Sequence, residues 1–142
     1  MDASANPGAE PSEGEYLFAY GTLQPEYVRD EIAHLVRGLE CIGKGTVAGI
    51  LYDLGSFPGA VLDPASPRRI RGTVFRLPED ERLLRELDEY EEFRAESPGT
   101  SQFIRRIYAV QMTSGRVLTC WVYEYNGPRD KASILESGVF MR

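Results

Sequence analysis

Six runs rich in apolar residues divide the chain: Tyr16 to Tyr20, where aromatic and small residues alternate, Ile42 to Tyr52, Ala60 to Leu62, Ile70 to Leu77, Phe103 to Met112 and Val117 to Tyr125. Turn-forming residues separate them at Gly55, Pro58-Gly59, Pro67 and Ser114-Gly115, so each run reads as a strand. On the last run Trp121, Tyr123 and Tyr125 share one face, and Cys120, Val122 and Glu124 share the other. Two stretches change to helical spacing. In the first, Pro25 suits an opening turn, and Val28, Ile32, Leu35 and Val36 follow up to Gly38. The second runs from Pro78 to Phe93. The links between strands are mostly too short for parallel crossovers, and Thr113 to Arg116 reads as a hairpin loop. The pattern therefore predicts an α+β fold, a small, mainly antiparallel β-barrel with two flanking helices.

Within the second helix one residue breaks the amphipathic rule. At about 100° per residue, with Leu83 at zero, Leu87 stands at about 40°, Leu84 at about 100°, Tyr90 at about 340° and Glu91 at about 80°. Glu91 thus shares the arc of the leucines, whereas Glu86, Glu89 and Glu92 point toward water. An acid carried into a core costs several kcal/mol unless it is paired, hydrogen-bonded or neutral. The alternatives at this stage are a partly exposed acid at a fraying helix end, an acid with a hidden partner, or an acid put to use. The polar loop Arg94 to Gln102 follows it directly, a usual place for a substrate gate.

Composition narrows the function classes. A chain of 142 residues with 42% hydrophobic content suits one domain with a real core. Residues 1–14 read as a disordered leader without a signal peptide, 15–127 as the domain and 128–142 as a C-terminal extension with room for a short turn of helix. A net charge of -6 argues against a nucleic-acid partner. No run is long enough to cross a bilayer, so no membrane partner is expected and a cytoplasmic location is. The basic groups Arg68, Arg69, Arg71 and Arg105, Arg106 read as solvated strand faces. Cys41 and Cys120 read as small buried thiols, with no metal-ligand spacing around them. His34, the only histidine, reads as a surface residue of the first helix, which leaves no support for a Ser/His or Cys/His nucleophile.

Four blocks in order resemble one family. Phe18-Ala19-Tyr20-Gly21-Thr22-Leu23 is similar to the YGTL signature that opens the γ-glutamylcyclotransferase-like family, which includes γ-glutamylamine cyclotransferases and plant avirulence-induced proteins. Gly49 to Gly55 with Phe57-Pro58-Gly59-Ala60, then Leu87-Asp88-Glu89-Tyr90-Glu91 as LDxxE, then Trp121-Val122-Tyr123 with Tyr125 follow in register. The resemblance implies a small β-barrel with flanking helices. It also implies conversion of a γ-glutamyl amine or γ-glutamyl amino acid to 5-oxoproline and a free amine, with no cofactor and no metal. Carried over by motif, the catalytic acid is Glu91; Tyr20, Gly21, Thr22, Leu23 and Tyr125, which lie in the matching blocks, are expected to bind the substrate. An apolar setting would raise the Glu91 pKa, and a nearby buried cation such as Arg105 would pull it back. Two positions depart from the family pattern. Glu92 stands where Gly is frequent, and Phe103-Ile104-Arg105 replaces a YxR block. The rival class is a non-catalytic binding or interaction module on the same barrel. The sequence leaves the leaving amine and the oligomeric state open.

Overall fold

The structure is a computed structural model, and it describes residues 15–20, 39–55, 57–79, 82–90, 101–130 and 132–139. Seven strands and one helix are found among them: β1 (Tyr16–Ala19), β2 (Glu40–Asp53), β3 (Pro58–Leu62), β4 (Arg69–Arg76), α1 (Arg82–Tyr90), β5 (Phe103–Met112), β6 (Val117–Tyr125) and β7 (Ser133–Ile134). The six predicted strands are present within two residues of their expected bounds. The helix expected over residues 25–38 lies outside the described residues, as does His34.

The strands pair in the order β3-β2-β4-β1-β6-β5, and a further β2–β5 pairing closes five of them into a barrel. Closure matters because an open sheet would leave a row of unpaired backbone groups. Neighbours run antiparallel throughout except β1 and β6, which lie parallel with Leu17 opposite Trp121. That one parallel pair makes the barrel mixed. β2 is long enough for two tasks. Its first part, Glu40 to Ala48, pairs with β4, while Gly49 to Asp53 run on past the barrel to carry β3. A β-bulge between Cys41 and Gly43 bends the start of the strand. The short β7 adds to the far end of β2, and Leu135 N–H donates to Leu51 O at 2.8 Å. The stretch after 130, which the sequence left as helix or tail, is therefore tied to the sheet by a strand.

Alternation along the strands builds two apolar clusters from the same sequence. Phe18, Val47, Ile70, Val74, Val110 and Val122 fill the barrel, each no more than 1% exposed. Their neighbours Leu17, Ala19, Phe75, Tyr123 and Tyr125 face outward and are covered by Leu83 and Leu87 of α1. The helix lies where the periodicity places it: Leu87 is fully buried, Leu83 nearly so, and Leu84 packs at the margin. A nine-residue helix is marginal on its own, so this apolar face is what holds it folded. No helix among the described residues is long and apolar enough to cross a membrane.

One expectation about the thiols is corrected. Cys120 is buried in the barrel, and burial pushes its thiol up to about 12. Cys41 is exposed, because it stands at the start of β2 beside the bulge rather than in the packed middle of the strand. Thiolate is the reactive form, so a thiol reagent at pH 8 should modify one cysteine of the folded protein and two after urea unfolding. Fast labelling of both in the native state would contradict the burial of Cys120. Leu87→Ala should lower the unfolding free energy by about 3 kcal/mol, read from denaturant titration, as expected for a leucine with no exposed surface.

Candidate functional site

Described residues of all four sequence blocks, far apart along the chain, meet at one end of the barrel: Tyr20, Gly59 and Ala60, Asp88, and Tyr123 with Tyr125. β1 and β6 run parallel, so the end of β1 at Tyr20 lies beside the end of β6 at Tyr123. The Tyr20 hydroxyl donates to the carbonyl of Tyr123 and accepts from Ala60 N–H at 3.2 Å. It therefore joins β1, β6 and β3 in a place where only 8% of the tyrosine is exposed. A buried backbone group left without a partner is costly, and this hydroxyl satisfies two of them.

β3 depends on such side chains. One edge pairs with β2, and the other pairs with no strand among the described residues. On that open side Ala60 N–H finds the Tyr20 hydroxyl, and Leu62 N–H donates to Glu124 Oε2 at 2.8 Å. The other Glu124 carboxylate oxygen accepts from Arg106. Burial raises the Tyr108 pKa, helped by the carboxylates of Asp63 and Glu124 and opposed by Arg69; its hydroxyl donates to Ala48 O.

Next to this seam Tyr125 is enclosed on several sides. Its ring lies 5.5 Å from that of Phe103 and 6.5 Å from that of Phe57, both steeply tilted to it. A Cβ at Gly59 would come within 2.8 Å of Tyr125 Cβ and Cγ, and one at Gly127 within 2.4 Å of its hydroxyl. Both glycines are thus required by close approach to the ring. The Tyr125 hydroxyl donates to Pro128 O at 3.0 Å. Phe103, one of the two departures from the family pattern, is a buried member of this aromatic cluster.

The last turn of α1 adds an acid. Asp88 Oδ1 accepts from Arg105 Nε at 2.7 Å and from the Tyr123 hydroxyl at 2.6 Å, and Asp88 Oδ2 accepts from Arg105 Nη2 at 3.0 Å. Only about a sixth of either charged side chain is exposed. The Arg105 guanidinium also lies 4.2 Å from the centre of the Trp121 ring. This corrects the reading of Arg105 as a solvated strand cation. Its partner Asp88 was quoted in the sequence only as part of a motif, although at about 140° it sits at the rim of the apolar arc. An acid at that rim, facing a strand that carries an arginine, was the available signal.

Of the residues singled out in the sequence, Tyr20 and Tyr125 stand at this end of the barrel, linked through β3. Gly21, Thr22, Leu23, Glu91 and Glu92 lie outside the described residues. Gly21 follows Tyr20 directly in the chain, and Glu91 follows Tyr90, the last residue of α1. Among the described residues no cluster of three or more His, Cys, Asp or Glu side chains has a metal-binding arrangement.

A closed five-stranded barrel with this helix and this junction defines a γ-glutamyl cyclotransferase-like fold. Residues 17–142 match the family described as gamma-glutamyl cyclotransferase, AIG2-like, and the chain belongs to that family. Similar solved structures include YkqA from Bacillus subtilis, with 23% identity and a TM-score of 0.65 over 89% of this chain and 39% of that one. The present chain thus spans well under half of the Bacillus protein. The protein ytfP from Escherichia coli is 26% identical with a TM-score of 0.62, covering 89% of this chain and 96% of its own. A mouse AIG2-like protein is 22% identical with a TM-score of 0.63, covering 80% of this chain and 79% of its own. Comparison with curated proteins gives no match. The family implies a small-molecule substrate.

Tyr20→Phe removes the hydroxyl from between the Tyr123 carbonyl and the Ala60 amide. It should cost about 2 kcal/mol of stability, the usual penalty for orphaned buried polar groups, measured by denaturant unfolding. A loss within error of zero would show that the hydroxyl does not brace the seam.

Proposed function

We propose that this chain is a γ-glutamyl cyclotransferase that converts a γ-glutamyl amine or γ-glutamyl amino acid to 5-oxoproline and a free amine, with Glu91 as general base and then general acid. The observation that carries the reading is the junction at Tyr123. Its carbonyl receives the Tyr20 hydroxyl and its own hydroxyl is donated to Asp88, so the YGTL, LDxxE and closing-strand blocks converge on one residue. The family match over residues 17–142 supplies the reaction class.

The chemistry is intramolecular. The α-amine of the γ-glutamyl group attacks its own γ-carbonyl, a C–N bond closes the five-membered ring, and the bond from that carbon to the leaving nitrogen breaks. Nucleophile and electrophile already belong to one molecule, so orientation is the main thing the protein must provide. An α-ammonium cannot attack until it loses a proton, and an amide nitrogen leaves poorly until it gains one. A single carboxylate meets both needs in turn, with Glu91 taking the proton from the attacking nitrogen and returning it to the departing one.

The tetrahedral intermediate carries an oxyanion. In this reading the backbone N–H groups of Gly21, Thr22 and Leu23 hold that oxygen or the substrate carboxylate, with the Thr22 hydroxyl as a further donor, and Gly21 allows close approach because it has no Cβ. Tyr20 and Tyr125 line the site. With the Tyr20 hydroxyl bonded to Tyr123 and Ala60, and that of Tyr125 to Pro128, these residues would meet a ligand mainly with their rings.

Purified protein incubated with a panel of γ-glutamyl amines and γ-glutamyl amino acids should release 5-oxoproline from at least one. Glu91→Gln should abolish that release while the circular dichroism spectrum and melting temperature stay near those of the parent. A Gln variant that turns over at the parent rate would remove Glu91 from the mechanism.

A further inference from the structure

We infer that Asp88 is a positioning residue for this reaction: its carboxylate fixes α1 against β5 and β6, and so constrains the placement of Glu91, which follows it closely in the sequence. The inference rests on the cyclotransferase reading, since Glu91, three residues on in the sequence, is the group whose placement matters.

Three bonds from two strands converge on Asp88. Arg105 of β5 supplies a two-point fork, and Tyr123 of β6 supplies a hydroxyl at 2.6 Å. A planar guanidinium meeting both carboxylate oxygens fixes an angle as well as a distance. The guanidinium is itself stacked at 4.2 Å from the Trp121 ring centre, which restrains the plane of the fork. Apolar contacts place no such demand on angle, and Leu83 and Leu87 already supply those to the same helix.

Stability alone explains this arrangement poorly. Well-packed apolar side chains usually stabilise a half-buried position as well as an ion pair does, because withdrawing two charges from water offsets their attraction. What the ion pair adds over a leucine is orientation of the segment that precedes Glu91 in the sequence. Tyr123 gives the placement a common reference, because the residue that bonds Asp88 through its hydroxyl also accepts the Tyr20 hydroxyl at its carbonyl. One backbone segment of β6 thereby sets the relative position of Tyr20 and Asp88, the described residues of the first and third motif blocks.

The test measures kcat, KM and melting temperature for the parent, Asp88→Asn, Tyr123→Phe, Glu91→Gln and, as a purely structural control inside the barrel, Val110→Ala. All are assayed well below the lowest melting temperature. Asp88→Asn should lower kcat by about 10²-fold, the scale of a small misplacement of a reacting group, with KM little changed. Tyr123→Phe keeps the ion pair and should lower kcat less; it also stands in should Asp88→Asn not fold. Val110→Ala should lower the melting temperature while retaining the parent kcat. If Asp88→Asn and Tyr123→Phe behave as Val110→Ala does, less stable but equally fast, the inference is overturned while an inactive Glu91→Gln leaves the cyclotransferase reading standing. If the parent releases no 5-oxoproline from any γ-glutamyl compound, both fall together.

Discussion

The hydrogen bond from the Tyr20 hydroxyl to the Tyr123 carbonyl is the constraint on which this end of the molecule depends. β1 and β6 form the single parallel pair of the barrel, with one register partner between Leu17 and Trp121. Parallel ladders are somewhat weaker per residue than antiparallel ones. A side-chain hydroxyl therefore carries the attachment past the point where the ladder stops. The same oxygen takes the Ala60 amide, which holds the unpaired edge of β3 across the barrel end. Without it the Ala60 amide would lose this partner, and β3 would be fastened on that side through Glu124 alone among the described side-chain bonds.

The division of the apolar residues follows from the same seam. Because β1 lies between β4 and β6, its even-numbered aromatics Tyr16, Phe18 and Tyr20 enter the barrel, while Leu17 and Ala19 form the floor on which α1 rests. A slip of one residue in β1 would exchange the two sets. It would place Phe18 under the helix and move the Tyr20 hydroxyl away from its two partners. Position of the helix, closure of the barrel and the bond at Tyr123 are thus consequences of one register.

Much of this was legible in the sequence, for identifiable reasons. Strands set off by turn signals, such as Phe103 to Met112 and Val117 to Tyr125 on either side of Ser114-Gly115, were found at their observed bounds, because turn-forming residues mark where an apolar run stops. The leucine arc of α1 was legible from its helical period. What the pattern does not encode is which strand lies beside which, so the parallel β1–β6 contact was hidden behind the expectation of a mainly antiparallel barrel. Nor does it encode a long-range partner. Arg105 on a strand looks like any other exposed cation until Asp88, 17 residues before it, is brought within 2.7 Å. Cys41 was misread because an apolar run was taken as a buried one, whereas the strand begins in the open before it enters the barrel. Of the residues proposed to touch substrate, Gly21 to Leu23 carry no periodic signal and were suggested through motif resemblance, whereas Glu91 was singled out by its angle on the helix as well as by its motif.

The Phe103 departure acquires a physical meaning from the packing around it. Relatives with a tyrosine there would bring a hydroxyl into the cluster of Phe57, Phe103 and Tyr125, whereas here three rings at centroid separations of 5.5 to 6.5 Å form an apolar group beside the motif blocks. The remaining hydroxyl of that cluster, on Tyr125, is directed to Pro128 O. A site bordered by ring faces discriminates weakly between apolar groups of similar size, by roughly 1 to 3 kcal/mol per methylene, and strongly only where it offers a polar partner that a competitor leaves unmet. In the proposed enzyme the γ-glutamyl half, with its ammonium and carboxylate, is therefore where selectivity would be concentrated. The aromatic group would tolerate a range of leaving amines, chosen by bulk and apolar surface rather than by hydrogen bonds.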